Sequence, residues 1–133
     1  MKKFIILVFA SFMFVSCMSS KDKIIGNSMQ LQTRSYQTKS FDINKDNLIK
    51  ASIWALQDLD FVIDKIDVPT GTVVAKKYQN NYTLSINLII RSKDAKSSTI
   101  RANANLGLSE VDEMEFYQAF FANISNSIFV LNN

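Results

Sequence analysis

The 133-residue sequence contains no histidine, one cysteine, one proline and three glycines. Without histidine, the chain alone cannot form a Ser-His-Asp or Cys-His nucleophile system, a histidine-ligated metal site or an imidazole general base. With one cysteine it cannot form an intramolecular disulfide, so we expect its stability to come from packing. Gly71 and Gly107 are isolated, which leaves no glycine-rich phosphate loop. We therefore expect no cofactor and no metal.

The residues that are present predict one small domain. Hydrophobic residues make up 47% of the chain, which separates it from disordered and collagen-like classes. A chain of this length has room for one hydrophobic core.

The first 17 residues have the pattern of an export signal. Lys2 and Lys3 precede an apolar stretch from Phe4 to Val15, which is shorter than the roughly 20 residues that a membrane span needs. The segment Phe14-Val-Ser-Cys17 resembles the bacterial lipobox, with Phe14 where leucine is usual. We therefore expect residues 1–16 to be removed as a signal peptide and Cys17 to be acylated, with palmitate among its chains.

Two other interpretations of Cys17 stay open, a buried thiol in a membrane helix and an incidental cysteine after ordinary cleavage near Ser16. A multiply acylated cysteine is a stable anchor, whereas a single acyl chain is marginal. In the sorting rule that the lipobox resemblance implies, Met18 rather than aspartate after the cysteine favours the outer membrane, facing the periplasm. We expect residues 17–28 to be a tether and residues 29–133 to be the single domain.

The positive net charge comes mainly from the expected signal peptide. Removing residues 1–16 takes away two lysines and no acid, so the formal charge falls from +3 to +1. Lys76-Lys77 is then the one basic pair in the remaining sequence. This distribution does not predict nucleic-acid binding.

Periodicity along residues 29–133 predicts the order β-α-β-β-β-β-α. Asn44 is a typical N-cap for the first helix, and Ser109 or Asp112 could cap the second. The predicted class is α+β, an antiparallel sheet with both helices packed on one face. The predicted strands lie within 30–41 and at 61–66, 72–78, 82–90 and 100–106, and the helices at 44–59 and from about 109 to 131.

The opposite face of the predicted sheet is polar. In two strands apolar residues alternate with outward-facing polar ones, because successive side chains point to opposite faces. The outward set has hydrogen-bond donors and a mild positive potential. We therefore consider it a possible binding face, against the simpler interpretation of a solvated sheet, and its residues are Asn87, Arg91, Arg101, Asn103 and Asn105.

Other chemical signals in the sequence are weak. Asp58, Asp60, Asp64 and Asp67 do not have the spacing of a calcium loop, so we interpret them as solvated charge. Trp54 is expected at the rim of the core or within it rather than as a ligand-stacking residue. Serine and threonine are abundant, and a lysine-activated serine stays open.

Five segments resemble a family of small uncharacterised proteobacterial lipoproteins, and the architecture is similar to the helix-grip domains of component C of the outer-membrane β-barrel assembly machine. In the lipoproteins a glycine usually stands at the position of Asp60. Fold alone does not fix function. The segments are Arg34-Ser-Tyr-Gln-Thr-Lys-Ser-Phe41, Ala55-Leu-Gln-Asp-Leu-Asp-Phe-Val-Ile63, Gly71-Thr-Val-Val-Ala-Lys76, Ile100-Arg-Ala-Asn-Ala-Asn105 and Phe116-Tyr-Gln-Ala-Phe-Phe121.

Two functions of different classes follow from the sequence. The first is a non-catalytic envelope lipoprotein, anchored to the membrane through Cys17, whose domain binds another envelope protein or a cell-wall polymer. The alternative is a small periplasmic hydrolase that uses carboxylates or a Ser-Lys pair. A concave pocket with converging reactive groups would favour the alternative.

Overall fold

A computed structural model describes residues 31–133, and Cys17 with most of the expected tether lies outside them. The fold is α+β, with a six-stranded antiparallel sheet and three helices, the first of which covers residues 31–36 of the described chain. The other elements are β1 (Thr38–Phe41), α1 (Lys45–Asp58), β2 (Val62–Asp67), β3 (Thr72–Gln79), β4 (Tyr82–Ser92), β5 (Ser98–Leu106), β6 (Ser109–Glu110) and α2 (Met114–Leu131).

The first strand pairs with the fifth. The strand order is β1-β5-β4-β3-β2, and β6 pairs with the end of β5 that β1 leaves free. Strands β2 to β5 form the predicted meander, joined by tight turns. In the β4–β5 turn the Ser97 hydroxyl and the Lys96 amide donate to the Asp94 carboxylate, and these bonds lower the pKa of Asp94.

Helix α1 begins and ends with recognisable caps. The Asn44 side chain accepts a hydrogen bond from the Asn47 amide at 2.9 Å, which confirms the predicted N-cap. At the other end Phe61 N–H donates to Leu56 O, and Asp60 N–H donates to Gln57 O. These two bonds form a Schellman motif, which requires a left-handed residue after the helix. Asp60 takes that position with φ +64°.

The turn between β2 and β3 requires glycine at position 71. Gly71 has φ +72°, and a Cβ atom there would lie 2.0 Å from the Ile90 carbonyl oxygen. Ile90 N–H donates to Gly71 O at 2.7 Å, so the turn backbone is held against β4. Two features therefore exclude a side chain at Gly71, its positive φ and the close approach of β4.

One hydrophobic core contains buried residues of the sheet together with buried residues of α1 and α2. The strands contribute alternate residues to it, as the period of two predicts. Ala102 and Ala104 are fully buried, and their small side chains leave room for the helices. The largest buried side chains include Leu48 and Leu56 from α1, Ile86, Leu88, Ile90 and Ile100 from the strands, and Tyr117 and Ile124 from α2.

A buried polar cluster joins α2 to the sheet. The Tyr117 hydroxyl donates to Val111 O at 2.6 Å and accepts from the Ala104 amide and from Gln37 Nε2, both at 3.2 Å. The Gln37 side chain also donates to Glu110 Oε1 at 3.4 Å. Because the Tyr117 hydroxyl has three partners, its burial leaves no hydrogen-bonding capacity unused.

The predicted element order was incomplete at two places. Residues 31–36 are helical rather than extended, and the first strand is confined to Thr38–Phe41. The short helix has a tertiary contact that the sequence pattern does not show, because the Tyr36 hydroxyl donates to Asp112 O at 2.5 Å. The sheet therefore has six strands instead of the five that the sequence predicted, and a helix precedes β1.

The predicted caps of the second helix were wrong. Ser109 lies in β6, which pairs with β5, and Asp112 lies in the segment before the helix. Helix α2 starts at Met114 with Glu113 as its N-cap, and the Glu113 side chain makes no capping hydrogen bond. Pairing of Val111 N–H with Ala104 O holds the chain along β5 and delays the helix start. Within residues 31–133, no helix combines the length and the hydropathy needed to cross a membrane.

Candidate functional site

The sheet surface opposite the core is called the outer face, and it consists of the alternate residues of β1, β3, β4 and β5 that point away from the buried core. The strand register determines which residues share it. Asn87 lies opposite Asn103, Arg91 lies opposite Thr99, and Asn105 lies opposite Ser85. Arg101 lies between Ile89 and Thr38 on its two neighbouring strands. The predicted residues share this face, as strand parity indicated: Asn87, Arg91, Arg101, Asn103 and Asn105.

The outer face is not uniformly flat. A depression of about 210 Å³ lies where β1, β4 and β5 meet. Its lining consists of Thr38, Ile89, Arg91, Thr99 and Arg101. The structure therefore brings together two of the five predicted residues.

The three asparagines of the predicted face do not line this depression. Asn87 and Asn103 face each other across β4 and β5. The Asn105 backbone carbonyl accepts a hydrogen bond from the Ser85 hydroxyl at 3.5 Å. The asparagines thus extend the polar face away from the arginines.

The two arginines are diagonal neighbours on adjacent strands. Arg91 pairs with Thr99, and Arg101 lies two residues further along β5. Diagonal neighbours of this kind are about 7–8 Å apart, within reach of long side chains. Arg91 and Arg101 therefore place two guanidinium groups over one small area.

Neither guanidinium is neutralised by a carboxylate within the described residues. The two salt bridges there join Lys76 to Asp64 at 3.1 Å and Lys77 to Asp60 at 3.8 Å. The Nε atom of Arg101 is buried and has no hydrogen-bond partner. A buried polar group without a partner costs about 1–3 kcal/mol.

Two threonines add hydroxyl groups to the lining. The Thr99 hydroxyl is 3.3 Å from the Ser40 hydroxyl, and either group can donate in that pair. When Ser40 donates, the Thr99 proton is free to point into the depression. Thr38 enters the lining because β1 lies beside β5, and Ile89 supplies its apolar wall. The lining therefore offers several hydrogen-bond donors beside one apolar wall.

The acidic residues near β2 have structural partners. The Asp64 carboxylate accepts a hydrogen bond from Lys76, which raises the pKa of that lysine. The Thr70 amide donates to the Asp67 carboxylate at 3.1 Å and lowers its pKa. Between Leu31 and Asn133, no cluster of three or more acidic, histidine or cysteine side chains could hold a metal ion.

A second depression, of about 380 Å³, lies between α1 and α2. Trp54 lines it and is 42% exposed, so this residue lies outside the core rather than within it or packed at its rim. Val130 on the other wall is 63% exposed. The remaining lining is Asp58, Asn123, Asn126 and Ser127. This groove lacks the converging charges of the outer face.

The residue pattern predicted neither the whole site nor the buried polar cluster. Thr38 could be placed beside Arg101 only once β1 was known to pair with β5. A tyrosine on the buried stripe of α2 was a usable signal, because a buried Tyr117 hydroxyl needs a partner.

No protein-family model matches this chain, and no curated protein matches it.

Proposed function

We propose that this protein is a membrane-anchored envelope lipoprotein whose domain is a non-catalytic binding module, with the outer face as its binding surface. The observation that carries this proposal is the pair Arg91 and Arg101, which have no carboxylate partner within the described residues and line one depression. The partner is another envelope protein or a cell-wall polymer. We also propose a helix-grip architecture, with both long helices on one face.

Binding accounts for the lining of the depression better than hydrolysis does. Its polar groups are guanidiniums and hydroxyls, and no lysine or carboxylate is among the lining residues. A serine or threonine nucleophile needs a base beside it, and arginine does not act as one. The arrangement instead resembles surfaces that recognise anionic or hydrogen-bond-accepting groups.

Anchoring through Cys17 is the second part of the proposal. Export and acylation would attach the domain to the outer membrane on its periplasmic side. A Cys17→Ala variant should lose incorporation of labelled palmitate and accumulate as uncleaved precursor. A Ser20→Ala variant, altered in the same segment, should be labelled like the wild type. Normal processing and membrane fractionation of Cys17→Ala would contradict acylation.

In-cell photocrosslinking tests the binding role. A photoreactive amino acid at Asn87 lies on the outer face, and one at Gln57 lies on the exposed side of α1. We expect a discrete crosslinked product from position 87 and not from position 57. The reverse pattern would remove the outer face from consideration and indicate the helices as the binding surface.

A further inference from the structure

The depression between β1, β4 and β5 has the chemistry of an oxyanion site. We propose that Arg91 and Arg101, with the hydroxyls of Thr38 and Thr99, bind one carboxylate or phosphate group of the partner. This inference rests on the binding role proposed above, since it names the chemical group that the outer face recognises. It also makes a claim about the isolated protein that can be tested without the partner.

The charge arrangement favours an anion. Two guanidiniums on diagonal positions repel each other, and no acid lines the depression with them. An oxyanion between Arg91 and Arg101 would reverse this repulsion. It would accept hydrogen bonds from the terminal N–H groups of both guanidiniums. Hydrogen bonds between arginine and an oxyanion are charge-assisted and stronger than neutral ones.

The geometry of the donors favours a planar or tetrahedral oxyanion over a spherical ion. A guanidinium presents its N–H groups as a rigid fork that matches the oxygen pairs of carboxylates and phosphates. Thr38 lies on β1 opposite Arg101, and Thr99 lies on β5, the strand that contains Arg101. Their hydroxyls therefore approach the depression from different sides. A chloride ion is a single spherical acceptor and does not offer the fork a separate oxygen for each N–H group.

The size of the depression limits what enters it. Its volume of about 210 Å³ is below the roughly 300 Å³ at which pockets for drug-sized ligands begin. The site therefore suits one terminal oxyanion group of a larger partner. Ile89 forms part of the wall and reduces the access of water to the bound group, which strengthens its hydrogen bonds.

The arginine content of the chain makes a direct experiment possible. The sequence has three arginines, Arg34, Arg91 and Arg101, so a nitrogen-15 spectrum of the Nε–Hε groups has three signals to assign. The full-length protein, held in a neutral non-ionic detergent, would be titrated with inorganic phosphate and separately with acetate. Chloride at matched ionic strength is the control, and Arg34 is the internal reference.

We expect phosphate, acetate or both to shift the Arg91 and Arg101 signals in a saturable way and to leave Arg34 near its starting position. Saturation with phosphate alone or acetate alone would identify which oxyanion the partner carries. Equal, non-saturating shifts of all three signals, or an identical response to chloride, would overturn the inference. So would the absence of any shift at Arg91 and Arg101.

Two variants separate fork recognition from simple charge. Arg101→Lys keeps the charge and loses the fork, and we expect it to weaken the apparent affinity for the oxyanion at least tenfold. Lys39→Gln removes a positive charge from β1 on the opposite face, where Lys39 pairs with Ile100, and should leave the affinity unchanged. Equal binding by Arg101→Lys would overturn the inference.

The outcome also distinguishes this inference from the binding role. A crosslink from position 87 without any oxyanion shift would keep the outer face as the binding surface and overturn the oxyanion site. A saturable shift without that crosslink would support the oxyanion site and contradict the proposed use of the outer face in cells.

Discussion

The two faces of β4 and β5 differ in what constrains their residues. On the core face Ile86 and Leu88 are almost completely buried, and Ala102 and Ala104 opposite them are small enough for helix packing. On the outer face Asn87 is exposed, whereas Ile86 and Leu88, which precede and follow it in β4, are buried. Along β4 and β5, the residues on one face therefore serve packing, and the alternate residues on the other face serve binding chemistry.

The outer face is nevertheless more than a solvated surface. Arg101 and Asn103 are half-buried, and the Arg101 Nε atom is fully enclosed without a partner. A sheet face that only contacts solvent does not require part of a guanidinium group to be buried. This difference leads us to assign folding to the core face and binding to the outer face.

An aspartate substitution on each face is the strongest test of this assignment of the two faces. Ile86→Asp buries an unpaired charge in the core and should cost several kcal/mol, enough to unfold the domain. Asn87→Asp, one residue later and exposed, should change the free energy of unfolding by less than about 0.5 kcal/mol. Chemical denaturation of the two variants measures both values. Similar losses in both would mean that the faces are misassigned.

The buried polar cluster provides the next largest effect. Tyr117→Phe removes the hydroxyl that serves the Ala104 amide, the Gln37 side chain and the Val111 carbonyl. Leaving buried groups unpaired should lower the free energy of unfolding by about 1–3 kcal/mol. Tyr78→Phe is the matched control, because Tyr78 is 68% exposed. Indistinguishable melting curves for the two variants would show that the cluster does not stabilise the fold.

The same hydroxyl makes stability depend on alkaline pH. Burial raises the pKa of Tyr117, although hydrogen bonds from Ala104 and Gln37 partly oppose this. The folded state therefore holds the phenol proton more tightly than the unfolded state. Its contribution is fully present below the unfolded tyrosine pKa of about 10 and is lost as the pH rises above that value. The free energy of unfolding, measured between pH 8 and 11, should fall more steeply in the wild type than in Tyr117→Phe, and parallel profiles would contradict this.

The smallest expected effect is a gain in stability at the end of α1. Asp60 adopts φ +64° in the Schellman motif, where glycine is unstrained. Asp60→Gly should raise the free energy of unfolding by about 0.5–1 kcal/mol, a typical gain for an improved helix cap. Asp58→Gly, placed inside the last helical turn, should lower it instead. A loss in both variants would show that the carboxylate contact with Lys77 outweighs the strain.

The sequence predicted the elements whose signals are local. The alternation of apolar and polar residues identified β4 and β5, and the Asn44 cap followed by an apolar stripe identified α1. These patterns are visible within a short stretch of sequence. Residues 31–36 and β6 escaped prediction because long-range contacts stabilise them. Tyr36 bonds to Asp112, and Ser109 and Glu110 pair with the end of β5. Short elements of this kind have too few residues to show a period.

The candidate site was also predictable only in part from the sequence. Strand parity was enough to place Arg91 and Arg101 on one face, since each belongs to a strand with clear alternation. The depression itself depends on β1 lying beside β5, which brings Thr38 to Arg101. That pairing joins residues about 60 positions apart in sequence. A single sequence carries no local signal for such a partner.

The central claim is that the outer face binds a partner through its arginines while the core face maintains the fold. Its most direct test is the yield of the crosslink from position 87 in an Arg91→Glu, Arg101→Glu protein, compared with a Lys39→Glu, Lys50→Glu protein of equal charge. The account predicts that both proteins fold and localise normally, and that the crosslink disappears in the arginine variant alone. A wild-type yield in the arginine variant would contradict it.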